Sequence, residues 1–274
     1  MTLRNPSARP PDPPDTDEAL PPTMPLQEAL LIFLVIMAGA LFALNLMPAW
    51  LPALTYSATG DAPKIYWFIS RGSAIAAYWI LWLSMTSGVL ITNKMAQKWP
   101  GTPPAFEVHQ YTSLLGLALG LFHALVLTGD QYIAYTIPQV LIPFAGTSYR
   151  PTWVGIGQLA FYVWAIVNFS FYVRKRIGKK AWRLIHFASF ASYVGVLVHG
   201  LYAGTDVTTV WAQGLYWFSG AVLLFLCVYR VLVWRFPPAK AHRPAPANAA
   251  VNNTAPQNGQ RPPIPVRTDL PRAE

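Results

Sequence analysis

Six apolar stretches constrain this chain more than any other feature. They cover about 29–50, 67–93, 106–128, 151–174, 180–203 and 209–235. Each runs to about 20 residues or more, the length a helix needs to cross about 30 Å of hydrocarbon. Lipid offers backbone N–H and C=O groups no partner, so a spanning segment must satisfy its own, and a helix does so. The expected fold is all-α, a polytopic membrane protein whose six-helix transmembrane bundle occupies 28–236. Composition enters the same way. Of 274 residues, 54% are hydrophobic and 11% charged, against about 25% charged in soluble domains.

The flanks read differently. Residues 1–27 are rich in proline and acid, and 237–274 in Pro, Ala and Asn, with few large apolar side chains. Such segments bury too little to fold, so both tails are expected to be disordered. The first apolar run, from Ala29 to about Leu54, exceeds the short apolar stretch of a secretory signal and is expected to remain as a span. Cys227 is the single cysteine, which excludes a disulfide within the chain and a cysteine-based metal or redox motif.

The net charge of +9 is no sign of nucleic acid, because much of it gathers at the ends of the spans. The fourth and fifth spans are joined by Arg174-Lys175-Arg176-Ile177-Gly178-Lys179-Lys180, with Arg183 beside it. Gly178 can end a helix there. By the positive-inside rule this turn faces the cytoplasm. Lys94, Lys98, Arg230, Arg235, Lys240 and Arg243 fall on the same side, while the opposite loops hold only Lys64 and Arg150, with Arg71 opening the second span. The expected location is the cell membrane, multi-pass, with both termini cytoplasmic. The segment from Gly129 to Tyr149 carries Tyr132, Ile133, Ile137, Val140, Leu141, Ile142, Pro143 and Phe144. It reads either as a lid on the bundle or as an ordinary interfacial loop. Gly155-Ile156-Gly157 lacks the strand and the further glycine of a dinucleotide fingerprint.

Four of the five histidines lie inside spans; only His242 sits in a polar tail. Ionisable residues at membrane depth are expensive and mark function. His109 and His123 are fourteen positions apart on the third span, His186 and His199 thirteen apart on the fifth. Both spans run outward, so His109 and His186 share the inner level, and His123 and His199 the outer. At about 1.5 Å per residue the levels are about 20 Å apart. Haem iron accepts an imidazole on each face, so this pattern suggests two stacked bis-histidine haems, each held by one histidine from either span. An ideal helix brings residues fourteen apart to one face but leaves residues thirteen apart about 140° short of whole turns. A local distortion near Gly195, or different approach directions, would absorb this. Hydrogen bonding between helices is the competing role for the histidines. Zinc requires three or four ligands, and each level offers two histidines with no nearby acid except Glu107. Gly116 and Gly120, and Gly195 and Gly200, suit either a cofactor cleft or close helix packing.

These features resemble the ferric-reductase-like transmembrane domain, shared by ferric reductases, NADPH oxidases and bacterial relatives. The resemblance covers about 30–235 and rests first on the fourteen and thirteen spacings. Similar stretches are Arg71-Gly72-Ser73, Tyr149-Arg150-Pro151, Arg176-Ile177-Gly178 through Trp182-Arg183-Leu184-Ile185-His186, and His199-Gly200-Leu201-Tyr202-Ala203-Gly204-Thr205-Asp206. The resemblance implies that His109, His123, His186 and His199 are the axial ligands of two b haems. It implies for Arg71 a haem propionate or an anionic acceptor as partner, where snorkelling to water is the plainer reading. Arg183 sits at the inner level, as a propionate partner or as an orientation signal. Tyr193 lies midway between His186 and His199, between the haems or in the core. Thr205 and Asp206 most simply cap and solvate the outer helix end.

No FAD- or NADPH-binding domain is expected beyond Arg235. A separate donor is therefore implied, a flavoprotein or a quinol, with FAD or quinone supplied by or shared with that partner. The bacterial relatives include the haem subunit of a methionine-sulfoxide reductase system, and an extracytoplasmic reductase is the corresponding partner here. The expected function is a di-haem b cytochrome that moves electrons outward across the bilayer to ferric iron, oxygen or a partner reductase. Whether the chain is itself an enzyme stays open. The alternatives are a non-redox scaffold or sensor that keeps the fold, and a haem subunit that acts only with an extracytoplasmic reductase. Loading of one level alone also remains possible from sequence.

Overall fold

All six apolar stretches form helices. The computed structural model describes residues 22, 24–50, 65–130 and 133–236. Expectations for the tails, for Leu51–Leu54, for Lys64 and for Tyr132 lie outside those residues. In chain order the helices are α1 (Leu26–Trp50), α2 (Ile65–Thr92), α3 (Thr102–Val126), α4 (Ile137–Leu141), α5 (Pro151–Ile177), α6 (Lys179–Ala203) and α7 (Val210–Arg235). No strand occurs among the described residues. Every helix except α4 is long and apolar enough to cross a membrane.

Where boundaries differ from the hydropathy pattern, helix-end chemistry explains it. α3 starts at Thr102, ahead of the apolar run, with prolines in its first turn. The missing N–H of proline costs nothing there, and its fixed φ suits the helix. α5 continues through Arg174, Lys175 and Arg176, which form its last turn; cations are favoured against the negative end of a helix. Gly178 then takes φ 82°, and its N–H bonds to Arg174 O at 3.0 Å. Only glycine adopts that backbone without steric cost. Its own carbonyl accepts from Trp182 N at 3.0 Å, so one residue closes α5 and opens α6.

The most extensive helix contacts are α2 against α3 and α5 against α6, two hairpins that meet through α2–α6 and α3–α5. α1 lies along α3. α7 is tied to α2 by side chains: Ser219 Oγ meets Tyr78 OH at 2.6 Å, and Trp82 Nε1 donates to Ser219 O at 3.0 Å. Arg230 donates to Thr92 O at 3.0 Å. The core gathers Tyr78, Leu81, Met85, Val89, Leu117, Trp164, Tyr193, Leu223 and Leu226. Small residues permit the close approach, as expected where lipid supplies no hydrophobic drive. A Cβ on Gly116 would stand 2.7 Å from Trp164, one on Gly195 2.8 Å from Ala160, and one on Gly200 2.8 Å from Tyr216 OH.

Polarity is distributed as in a membrane protein. Ser70, Ser84, Ser170, Ser192 and Ser219 are buried, while Phe187, Trp217 and Leu224 are largely exposed. A soluble monomer rarely shows so much apolar surface, whereas a lipid bilayer would cover it. The chain is a multi-pass, all-α membrane protein.

Candidate functional site

The four span histidines converge in pairs. His109 on α3 faces His186 on α6 with ring centres 6.1 Å apart, and His123 faces His199 at 6.2 Å. α3 and α6 therefore run the same way, and the pairing is the one expected from sequence. The rings are crossed, by 77° at the first level and 66° at the second.

Nδ1 is occupied in three of the four rings. His109 Nδ1 lies 2.9 Å from Ser84 O, His123 Nδ1 2.8 Å from Ser70 O, and His199 Nδ1 2.9 Å from Trp153 O. A carbonyl can only accept, so each Nδ1 carries the proton and each Nε2 keeps its lone pair. Ser84 Oγ also donates to His109 O at 3.4 Å, and Ser70 Oγ to His123 O at 3.1 Å. Ser70 and Ser84 are fourteen residues apart, like the histidines they hold, so one latch is repeated along the α2–α3 hairpin. Glycines bring the rings close. A Cβ on Gly157 would come within 2.5 Å of His199 Nδ1, and one on Gly88 within 3.0 Å of His109 Cε1.

The separations suit an iron between the rings. A metal–imidazole bond is about 2.0–2.1 Å and the ring centre lies about 1.1 Å behind the nitrogen, which gives about 6.3 Å between the centres of two opposed ligands. A cavity of about 230 Å³ opens at the outer level, lined by His123, His199, Ser70, Gly120, Gly157 and Gly200 among others. Gly120 and Gly200 thus serve packing and cleft together. Among the described residues, no three His, Cys, Asp or Glu side chains converge, so chelation of a bare ion has no donor set here. A group that carries its own equatorial donors needs only two.

The thirteen-residue spacing on α6 is accommodated without a break in that helix. The two rings are held differently instead. His199 sits against Gly157 on α5, whereas the His186 ring stacks on Trp182, one turn earlier on its own helix, at 5.2 Å and 26°.

Arg71 lines the outer cavity. Its guanidinium makes a two-point ion pair with Asp206, Nε to Oδ2 at 2.9 Å and Nη2 to Oδ1, and it lies over Phe68. This corrects the reading of Asp206 as a solvated cap: its carboxylate neutralises Arg71, and only its carbonyl holds the turn, through Thr209. Arg183 is exposed, and the aromatic neighbour of the inner pair is Trp182. Tyr193 is a core residue. It is 4% exposed, its OH lies 3.1 Å from Tyr78 OH, and its ring stacks on Tyr78.

The segment after α3 roofs the outer cavity through Ile133, Tyr135, Gln139, Val140 and Leu141. Gln158 on α5 fixes it, with Nε2 donating to Gln139 O and Val140 O at 2.8 Å and Oε1 accepting from Phe144 N at 3.2 Å. Tyr135 OH donates to Tyr149 O at 3.1 Å, and Tyr149 OH to Ala203 O at 2.7 Å. Burial raises the pKa of both phenols; around Tyr149, Arg150 and Arg71 oppose the shift without cancelling it. Sequence reasoning missed Ser70, Ser84, Gly88, Gly157 and the Trp153 carbonyl. Of these, only the serine pair carried a readable signal, in its spacing.

The chain matches no family model, no curated protein and no solved structure.

Proposed function

We propose that the chain is a di-haem b membrane cytochrome of the ferric-reductase-like type, which moves electrons across a bacterial cell membrane from the cytoplasmic side to an outer acceptor. The observation that carries this reading is the pair of separations, 6.1 and 6.2 Å, two levels apart in one bundle. His109 and His186 would hold the inner haem, and His123 and His199 the outer one; each haem, when bound, supplies reversible one-electron chemistry. The carbonyls of Ser84, Ser70 and Trp153 fix the ring tautomers and strengthen the ligands. Tyr78, Leu117, Trp164 and Tyr193 belong to the packed core of the bundle, and Leu117 and Tyr193 lie in sequence between the two histidines of their helices.

Direction follows from charge. Lys94, Arg174, Lys175, Arg176, Lys179 and Lys180 lie at the end nearest His109 and His186, which becomes the cytoplasmic end by the positive-inside rule. Both termini are then cytoplasmic. The donor is a flavoprotein or a quinol. The acceptor is ferric iron, oxygen or an extracytoplasmic partner, and the Arg71–Asp206 pair borders the cavity on that side.

The test is electron transfer across a membrane. Proteoliposomes with ferricyanide sealed inside are supplied outside with a membrane-impermeant reductant. The account predicts reduction of the trapped ferricyanide with the protein, and only background reduction with a His109→Ala/His123→Ala double variant. Equal rates from the two preparations would contradict it.

A further inference from the structure

His186 stands apart from the other three histidines. Each of those donates Nδ1–H to a backbone carbonyl; among the described residues no hydrogen bond ends on His186. The register of the α5–α6 hairpin accounts for this. At the outer level Gly157 lets the His199 ring approach α5 and reach Trp153 O. Ser192 Oγ donates to Ala160 O at 2.9 Å midway along the same hairpin. By the same antiparallel count, Ile166 and Ser170 correspond at the inner level to Trp153 and Gly157 at the outer. A serine stands where the outer level has glycine, and its hydroxyl is turned to Val167 O at 2.7 Å.

The His186 ring is held by an aromatic face instead. Trp182 and His186 are i and i+4 on α6, so their side chains meet on one face, and helical side chains lean toward the N-terminus. The indole stacks on the imidazole, 5.2 Å away and 26° from parallel. Behind it Phe171 on α5 meets Trp182 at 6.4 Å, and the Arg174 guanidinium lies 4.1 Å from the Phe171 centroid. Among the described residues the buried Trp182 Nε1 has no hydrogen-bond partner. Among the described residues, ring contacts position the indole, and its stack positions the imidazole.

We propose that Trp182 is the positioning residue of the inner level: its stack orients the His186 ring, where a carbonyl orients each of the other three ligands. This rests on the haem reading above. A stacked face fixes the plane of the imidazole but does not accept its N–H. The inner level thus has one carbonyl-bonded ligand where the outer level has two, and it depends on a single aromatic ring.

The experiment compares the full-length protein, purified in detergent after expression with haem supplied, with its Trp182→Ala and Trp182→Phe variants. Haem-to-protein ratio and the low-spin EPR signals of the oxidised form are recorded. A phenyl face can still stack, so Trp182→Phe is expected to keep about two haems per chain, while Trp182→Ala falls to about one and loses the inner signal. The unchanged outer signal reports that the bundle is intact. Two haems with unchanged signals in Trp182→Ala would overturn the proposal, and so would loss of both haems, since the indole would then support the fold rather than one ligand. Loss in Trp182→Phe equal to that in Trp182→Ala would overturn it too. A wild-type chain without haem would overturn the underlying reading and this one with it, an outcome distinct from the others.

Discussion

At Gly157 a single methyl group would act directly on a proposed ligand. A Cβ there meets His199 at 2.5 Å from Nδ1 and 2.6 Å from Cγ, so the ring must leave its carbonyl partner. Gly88 is the milder case, with His109 Cε1 at 3.0 Å, where a few tenths of an ångström of give suffice. Gly157→Ala is expected to lower haem content from about two to about one per chain, and Gly88→Ala to keep both haems with a shifted inner signal. The haem-to-protein ratio checks this; a fully loaded Gly157→Ala variant would contradict it. The histidines themselves were legible because an ionisable residue inside an apolar run stands out. Gly157 was not, because its partner lies on another helix and the register between helices is written in no local pattern. Ser70 and Ser84 fall between: their spacing repeats that of His109 and His123, but serines are too common in spans for the repeat to be noticed alone. Asp206 was misread because a short acid in a turn between two helices reads most simply as a solvated polar residue at a helix end, and nothing near it in sequence points to Arg71, 135 positions away.

Among the elements, the long helices follow from hydropathy alone, and their ends from Pro103, Gly178 and the basic last turn of α5. The segment from Ile133 to Arg150 does not. Its α4 has five residues, too few to be stable by itself. Gln158 on α5, together with the Tyr135 and Tyr149 hydroxyls, sets its course. Both hydroxyls donate, and donation needs the neutral phenol. Burial raises both pKa values above the ordinary value of 10.0, so the folded state holds these protons more tightly than the unfolded chain does. The stability they contribute is complete below pH ~10 and is lost as pH rises through the folded-state values. Hydrogen exchange of residues 133–150, corrected for the intrinsic rate, should therefore accelerate above pH ~10 relative to the α2–α3 hairpin. Tyr135→Phe together with Tyr149→Phe should abolish that pH dependence. Parallel rates in segment and hairpin through the alkaline range would contradict it.

On the scale of the whole molecule, two hairpins of different character hold one column of histidines. α2–α3 repeats its serine latch with a strict fourteen-residue period. α5–α6 works with thirteen and uses a glycine and a carbonyl at one level and an indole at the other. The apparent mismatch of thirteen with the helical period is thus resolved in side chains while α6 stays unbroken. The six spans were readable because lipid forces every span to be a helix. The unequal support of the two levels was not, since it arises only where α5 meets α6. The two-level account is tested most directly by the haem content of the purified full-length chain, with oxidised and dithionite-reduced absorption spectra. It predicts a b-type reduced spectrum and about two haems per chain, falling by about one in His109→Ala and in His123→Ala. A chain expressed with haem supplied that binds none, or whose haem content neither substitution changes, would contradict it.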